Sequence, residues 1–202
     1  MKKTFVIAVC FLSLGLYAQN IQDQLKQITT FEEAQKFIQE NQNFDIEFLS
    51  SIPEIETDEF AKKLLTVKTG DVFSDTDFTY KILSKRKILA FRVSYIYLDG
   101  NTLSIKEINK TRTKILEEYK NGKSFIILAK NHTMDSSNDG DLGWFTEGMM
   151  VPAFESAIKS HKKNDVFKVD IPDKEWYYVV LKTFDDKEVE ELSFFKIRNS
   201  IN

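Results

Sequence analysis

The stretch AKNHTMDSSNDGDLGWFTEGMMVPAFE, residues 129–155, decides the fold and carries the candidate site. It surrounds a compact Gly-Asp-Leu-Gly turn with three methionines and three aromatic residues. Leu142, Met150 and Phe154 supply apolar groups near a single polar side chain, Asp135. This combination suits a pocket that holds a small apolar ring beside one carboxylate.

The residues before and after this stretch predict helices. Ser104 and Glu107 form a capping box, in which a hydroxyl and a carboxylate satisfy free amides at a helix start. Apolar residues then recur at helical spacing as far as Tyr119. Ser124 opens a shorter helix, and Pro152 is a suitable first residue for a third. Two runs rich in aromatic and β-branched residues, 91–98 and 176–182, predict strands.

The order of these elements predicts a small α+β domain over residues 89–187. Two further helix starts, at Thr30 and at Thr57, lie in the segment before it, residues 20–88. Residues 84–87, SKRK, are expected to form a short basic turn. Residues 188–202 are assigned as a C-terminal tail.

The N-terminal segment is predicted to contain a degenerate half-repeat of the later domain. Residues 60–64 lead to Gly-Asp-Val-Phe at 70–73, and residues 154–158 lead at the same spacing to Asn-Asp-Val-Phe at 164–167. Glycine and asparagine both tolerate the left-handed conformation at a helix end. The alternative is that a helix, a turn and a strand follow one another by coincidence, since this order is common.

Residues 1–19 have the pattern of a secretory signal peptide. Lys2 and Lys3 precede a short apolar run that ends at Ala18. A lipoprotein is the alternative because of Cys10, but this cysteine lies early in the apolar run and follows Val9, which is not small. We therefore expect a periplasmic or secreted protein after cleavage.

Charge and cysteine content exclude several classes of function. Without Lys2 and Lys3, 26 basic side chains face 31 acidic ones, a net charge of −5. Such a chain is a poor candidate for binding nucleic acid. The only cysteine lies in the signal peptide, which leaves no disulfide framework. His132 and His161 are far apart without a companion ligand pattern, so no metal site is predicted.

Three motifs in this chain resemble the parvulin family of peptidyl-prolyl cis-trans isomerases. They are residues 128–135 (LAKNHTMD), 140–143 (GDLG) and 150–155 (MVPAFE), and they occur in the family's order. The similarity extends from the strand at 93–96 to the strand at 178–182 and covers roughly half of the chain. It implies a four-stranded antiparallel sheet with surrounding helices.

The resemblance also assigns roles to residues. Leu142, Met150 and Phe154 would form the pocket for the proline ring, and Asp135 would take the central polar position. The family normally supports that position with two histidines, where this chain has Tyr95 and Tyr178. A tyrosine hydroxyl also donates and accepts hydrogen bonds, although it titrates near ~10. The alternative for each tyrosine is a core aromatic residue on a strand.

The resemblance implies an exported isomerase that assists the folding of envelope or secreted proteins and needs no cofactor. Its partners would be unfolded or extended polypeptides that contain proline. A second hypothesis is a module that binds unfolded chains as a chaperone without appreciable catalysis, and the two tyrosine replacements motivate it. A third, a purely structural envelope protein, does not account for the intact pocket residues.

Overall fold

The computed structural model describes residues 23–42, 44–137 and 139–199, so the predicted signal peptide lies outside the described residues. The described chain divides into two compact units. The first takes the described residues up to Lys87 together with those from Glu190 onward, and the second is Ile88–Val189. Within these ranges, no helix is both long and apolar enough to cross a membrane.

The described chain alternates short helices with strands. Besides a helical stretch at residues 23–27, the helices are α1 (Phe31–Glu40), α2 (Glu59–Leu64), α3 (Ile105–Lys120), α4 (Phe125–His132) and α5 (Pro152–Lys159), with a 3₁₀ turn at Pro172–Lys174. The strands are β1 (Ile46–Ser51), β2 (Val72–Ser74), β3 (Phe78–Asp99), β4 (Asp141–Thr146), β5 (Val166–Ile171), β6 (Trp176–Lys182) and β7 (Lys187–Arg198).

The second unit is a four-stranded antiparallel sheet with helices on both faces. Its strand order is β4-β3-β6-β5, and each neighbouring pair is antiparallel. Strand alternation sends consecutive residues of β6 to opposite faces. Val180 therefore packs with Phe154 of α5, whereas Val179 packs with Ile115 of α3. The α+β prediction is confirmed.

The helices of the second unit begin where the sequence predicts. At α3, the Ser104 hydroxyl accepts a hydrogen bond from the Glu107 amide, and the Glu107 carboxylate accepts one from the Ser104 amide at 2.9 Å. Helix α4 follows Ser124, and Pro152 is the first residue of α5. Proline suits that position because its missing N–H would have no partner inside the helix.

The first unit has the strand order β1-β7-β3-β2. On one face, Phe37 of α1 packs against Phe195 and Ile197, and on the other, Leu64 of α2 packs with Phe194. Helix α1 starts with a capping box at Thr30, as predicted. The segment assigned as a C-terminal tail contributes β7, and it supplies the core residues of both faces.

Two sequence predictions in the first unit need correction. The helix start expected at Thr57 lies one residue later, because the Asp58 carboxylate accepts a hydrogen bond from the Ala61 amide at 2.8 Å. The basic turn expected at 84–87 is part of β3. Lys85 pairs there with Glu190 at 3.2 Å. A charged run is compatible with a strand when carboxylates on a neighbouring strand face it.

The turn before β2 is fixed by four hydrogen bonds. Gly70 has a φ of +93°, a conformation that favours glycine. Its amide donates to Ile82 O at 2.9 Å, and the Ile82 amide donates back to Asp71 O at 2.9 Å. The Asp71 carboxylate accepts from the Lys68 amide at 2.7 Å, and the Asp71 amide donates to Lys68 O at 3.0 Å.

The turn before β5 repeats this arrangement in the second unit. Asn164 has a φ of +74°, and its amide donates to Lys182 O at 2.8 Å. The Lys182 amide donates back to Asp165 O at 3.0 Å. The Asp165 carboxylate accepts from the Lys162 amide at 2.8 Å. The half-repeat stays a prediction, and this shared hydrogen-bond pattern supports it.

The strand orders of the two units correspond as well, but the chain passes through the strands in a circularly permuted order. If β2 corresponds to β5, the order β1-β7-β3-β2 matches β4-β3-β6-β5 strand by strand. The first strand of the second unit, formed by residues 88–99, then has its counterpart in β7 at the end of the chain. Because this counterpart comes last in the chain rather than first, aligning the two units along the sequence matches only the elements that occur in the same order.

We expect Ser104→Ala to lower the free energy of unfolding of the second unit by about 1 kcal/mol, because the first turn of α3 loses its capping hydroxyl. Tryptophan fluorescence during urea unfolding measures this, since Trp144 and Trp176 are the only tryptophans and both belong to this unit.

Ser124→Ala is the matched control for this change. Ser124 precedes α4 as Ser104 precedes α3, but its side chain makes no capping hydrogen bond. Its replacement should leave the unfolding midpoint nearly unchanged. Equal losses for the two variants would contradict the assignment of the capping energy to Ser104.

Candidate functional site

The turn Gly-Asp-Leu-Gly is anchored directly on β3. The Tyr95 amide donates to Gly140 O at 2.8 Å. A Cβ atom at Gly140 would lie 2.5 Å from Tyr95 O and 2.8 Å from the Ala129 Cβ, and the residue also has a φ of +74°. Only glycine fits here. The contact therefore places Leu142, two residues further along β4, at a fixed distance from Tyr95.

An ion pair holds the start of β4 against β3. Arg92 Nε donates to Asp141 Oδ1 at 3.1 Å. This hydrogen bond from Arg92 lowers the pKa of the Asp141 carboxyl below its usual value. The Gly143 amide donates to the same carboxylate at 3.0 Å. The aspartate of the turn is thus structural, and it keeps the backbone around Leu142 in place.

Glu155 fixes the methionine loop on the opposite side of the site. Its Oε1 accepts hydrogen bonds from the Gly148 amide at 2.8 Å and the Met150 amide at 2.9 Å. The glutamate is buried in α5, one residue after Phe154. A buried carboxylate is tolerated when backbone amides satisfy it. Glu155 therefore sets the position of Met150 relative to Phe154.

Tyrosines on two neighbouring strands form the polar side of the site. Tyr97 of β3 lies opposite Tyr178 of β6, and their ring centroids are 5.4 Å apart. The Tyr95 ring lies 6.1 Å from the Tyr178 ring. Phe154 meets Tyr178 edge to face at 5.2 Å. Such aromatic pairs favour tilted geometries at these separations, which fixes the ring positions.

Asp135 is held at the site by three donors. The Tyr95 hydroxyl donates to Oδ2 at 2.7 Å, and the Thr133 hydroxyl donates to Oδ1 at 2.8 Å. The Ser137 amide also donates to Oδ1, at 3.1 Å. Thr133 additionally accepts a hydrogen bond from the Tyr97 amide at 3.1 Å. Thr133 thereby links the carboxylate to β3.

Two of the tyrosines remain neutral well above physiological pH. Burial, followed by the hydrogen bond to Asp135 and its charge, raises the pKa of Tyr95 to about 12. Burial also raises the pKa of Tyr178 to about 12, with smaller contributions from Tyr97, Tyr95 and Asp135. Both phenols are therefore protonated hydrogen-bond donors across the physiological range.

These groups surround one cavity of about 450 Å³. All six residues expected at the site line it, so the structure brings them together. The lining residues are Tyr95, Tyr97, Asp135, Leu142, Met149, Met150, Val151, Phe154, Trp176 and Tyr178. Most are apolar or aromatic, and a few polar groups converge at one side, which is the usual composition of a small-ligand site.

Sequence reasoning missed Tyr97, Met149, Val151 and Trp176 as lining residues, and Thr133 as a support. The signal for two of them was strand periodicity. Tyr97 lies two residues after Tyr95, and Trp176 lies two before Tyr178, so each shares a face with a predicted residue. The role of Thr133 carries no such signal, because it depends on the path of the loop beside β3.

Comparison with known proteins gives consistent matches. A protein-family model described as PPIC-type PPIASE domain matches residues 79–186, just over half of the chain. Foldase protein PrsA 1 of Bacillus cereus is 42% identical over 82 residues, which cover 39% of this chain and 28% of the relative. Foldase protein PrsA of Caldanaerobacter subterraneus is 28% identical over 159 residues, 76% of this chain and 50% of the relative.

Among solved structures, PrsA from Bacillus subtilis matches with a TM-score of 0.40 and 31% identity, over 48% of this chain and 35% of that one. The chain spans half or less of the length of these relatives.

We expect Thr133→Val to destabilise the second unit by about 1 kcal/mol, because Asp135 loses a donor and the Tyr97 amide loses its acceptor. Hydrogen exchange at the Tyr97 amide should accelerate at the same time. Thr133→Ser keeps the hydroxyl and serves as the control, with both quantities close to those of the unchanged protein. If valine and serine had equal effects, the hydroxyl would not be the group that matters.

Proposed function

Because the chain belongs to the family of PPIC-type peptidyl-prolyl isomerase domains, we propose that it is an exported foldase that isomerises Xaa-Pro bonds of unfolded polypeptides. The parvulin resemblance found in the sequence is confirmed by this match. The observation that carries the proposal is the single cavity that joins an apolar wall to Asp135 and its tyrosine donors. The predicted signal peptide supports export.

The chemistry requires no covalent step. Rotation about a prolyl bond faces a barrier of about 20 kcal/mol, because the resonance of the amide is lost on twisting. Uncatalysed exchange therefore takes tens to hundreds of seconds, slow enough to limit folding. A protein accelerates it when it binds the twisted amide more strongly than the planar one.

The geometry suits such selective binding. Leu142, Met150 and Phe154 would enclose the proline ring and exclude water from the bond. A twisted amide has a smaller dipole than a planar one, so a dry wall favours it. Asp135, held by the Tyr95 hydroxyl, would lie beside the amide carbonyl. Its negative charge would disfavour the planar amide, whose oxygen carries more negative charge than that of the twisted form. In this arrangement the Tyr95 hydroxyl orients the Asp135 carboxylate, and the reaction requires no proton transfer.

The direct test is exchange spectroscopy of a proline-containing peptide by NMR, with and without the mature protein. We expect the exchange rate to rise with protein concentration. Leu142→Asn should reduce kcat/KM about tenfold, equivalent to about 1.4 kcal/mol of transition-state binding. Ser124→Ala, outside the cavity, is the control and should retain full activity. An unchanged rate at high protein concentration would refute the isomerase.

The alternative is a chaperone module that binds unfolded chains without appreciable catalysis. The replacement of both family histidines by Tyr95 and Tyr178 is the observation that favours it. In that case the protein would suppress aggregation of an unfolded client, and peptide exchange would stay at the uncatalysed rate. The same NMR experiment therefore separates the two functions.

Isomerisation should be independent of pH between about 6 and 9. No histidine is among the described residues that line the cavity. The pKa values of Tyr95 and Tyr178, both about 12, keep the two phenols protonated throughout this range. NMR exchange rates at several pH values measure the profile. A rate that changed with a single titration within this range would implicate a group outside the cavity instead.

A further inference from the structure

A second concave site lies on the opposite face of the sheet from the cavity. It is a crevice of about 230 Å³, and its lining residues belong to the second unit. On β3, Ser94 lines the crevice and Tyr95 lines the cavity. On β4, Asp141 lines the crevice and Leu142 lines the cavity. Because consecutive residues of a strand point to opposite faces, only the thickness of the sheet separates the two sites.

The crevice exposes two large apolar side chains. Ile126 of α4 is 51% exposed, and Phe184, which follows β6, is 43% exposed. Helix α4 buries Phe125, Leu128 and Ala129, so Ile126 lies on the outer side, where a surface helix usually has polar residues. Contiguous exposed apolar groups mark interaction sites, whereas single scattered ones are common. The crevice therefore suits an apolar partner.

The wall formed by Phe184 is held in place by its neighbours. Its ring centroid lies 5.4 Å from that of Trp144, and the Arg92 guanidinium lies 5.3 Å from it. The Thr183 hydroxyl donates to Arg92 O at 3.0 Å, and Arg92 pairs with Asp141. These contacts fix one wall of the crevice before a partner binds. A fixed surface loses little conformational entropy on binding, which favours affinity.

The charges around the crevice have both signs. Asp139 lines it, and the Lys163 ammonium lies 6.0 Å from the centroid of the Phe184 ring. The Asp141 carboxylate already accepts a hydrogen bond from Arg92. Opposite charges that lie this close compensate each other, so apolar contact is the main source of affinity. Salt, which screens exposed charges, should then change binding little.

The size of the crevice suits one side chain rather than a whole ligand. Sites for drug-sized ligands have volumes of about 300–1,000 Å³, and the crevice is smaller. The polypeptide proposed to bind in the cavity is the nearest source of such a side chain. Adjacent residues of β4 line the two sites, and among the described strands β4 pairs with β3 alone. The shortest path between the sites therefore runs around the outer side of β4.

The length of this path sets the spacing between the two contacts. Packed sheets lie about 10 Å apart, so the side chains on each face extend about 5 Å, and the crossing from one face to the other covers about 10–15 Å. An extended chain advances about 3.3 Å per residue. With the turn around the strand included, about four to six residues connect the two sites.

On the basis of the isomerase function proposed above, we propose that the crevice is a second binding site for the same polypeptide. It takes one large aliphatic or aromatic side chain, about four to six residues from the proline. A side chain tethered to the bound proline enters at a high effective concentration, so even a shallow crevice adds affinity. The favoured substrates are unfolded chains that carry an apolar residue at this distance from a prolyl bond.

The test uses peptides with one Ala-Pro bond in a chain of glycine and serine. A single leucine is placed two or five residues from the proline, on either side, and the reference peptide has serine there. Calorimetry measures the Kd, and NMR exchange measures isomerisation. We expect leucine five residues away, on one side of the proline, to lower the Kd about tenfold, because burial of one leucine side chain supplies such a factor. Leucine two residues away should lower it less than about threefold.

Ile126→Ser should remove the advantage of the distant leucine and leave isomerisation of the reference peptide unchanged, since Ile126 is outside the cavity. Ile127→Ser is the matched control. Ile127 is 48% exposed on the same helix and is not among the residues that line the crevice. This variant should keep the advantage of the distant leucine. Unfolding midpoints in urea close to that of the unchanged protein show that both variants are folded.

The results separate the inference from the proposed function. If exchange stays at the uncatalysed rate but the distant leucine still tightens binding through Ile126, the isomerase fails and the second site stands. If the peptides are isomerised but leucine has no effect at either distance, the second site fails and the isomerase stands. An advantage that persists in Ile126→Ser, or disappears equally in Ile127→Ser, would also overturn the inference.

A second copy of the chain is the other candidate occupant of the crevice. Sedimentation of the mature protein measures self-association with and without the leucine peptide. We expect the same association state for the unchanged protein and for Ile126→Ser. Self-association that Ile126→Ser abolishes and Ile127→Ser retains would assign the crevice to a second copy and refute the polypeptide contact.

Discussion

The site depends on the close approach of Gly140 to the backbone of Tyr95. The hydrogen bond from the Tyr95 amide to Gly140 O is 2.8 Å long, and any Cβ atom at Gly140 would overlap the Tyr95 carbonyl. Because protein interiors are close-packed, the surrounding atoms cannot move aside to accept such an overlap. This contact sets the register of β4 on β3, and the register places Leu142 in the cavity wall. It also brings the chain before Gly140, with Asp135, to the hydroxyl of Tyr95.

Once that register is set, the polar side of the cavity keeps a fixed charge state. Tyr95 donates to Asp135, and burial together with the carboxylate raises its pKa to about 12. Thr133 holds the other oxygen of Asp135. A histidine in the place of Tyr95 would change its charge near physiological pH. A tyrosine does not, so the replacement exchanges a titratable support for a permanent neutral donor.

Local patterns allowed much of the fold to be predicted from the sequence. The capping box of Ser104 and Glu107 is complete within four residues, and the aromatic run of β6 is visible on its own. Residues 84–87 were misassigned because their strand character depends on carboxylates more than 100 residues away, such as Glu190. Strand β7 could not be predicted for the same reason. Its partner strand β1 lies far away in the sequence, near the start of the first unit.

The site was predictable to a similar extent, and for a similar reason. The six expected residues come from contiguous motifs or from strands whose partners the resemblance supplied. Trp176 and Tyr97 share strand faces with expected residues and were accessible to periodicity. The supporting role of Thr133 could not be predicted in this way. It requires the Tyr97 amide to lie beside the loop that contains Thr133, and no local sequence pattern specifies this contact. The roles of residues could be predicted where the spacing of residues along the sequence encodes them.

The two units differ in side-chain size at corresponding positions of their strands. In the second unit Phe167 pairs with Val180, and the ring of Phe154 is free to line the cavity. At the corresponding pair of the first unit, Phe73 faces Tyr80.

The larger Tyr80 ring closes this region of the first unit. It lies 5.0 Å from the Phe73 ring and 4.8 Å from the Phe60 ring, and Phe194 packs 5.7 Å from Phe60. Phe60, the counterpart of Phe154 in the proposed half-repeat, is therefore surrounded by rings of its own unit. The same turn and strand order thus accompany a cavity in the second unit and an aromatic cluster in the first. Under the proposed function, the prolyl bond would therefore bind in the cavity of the second unit.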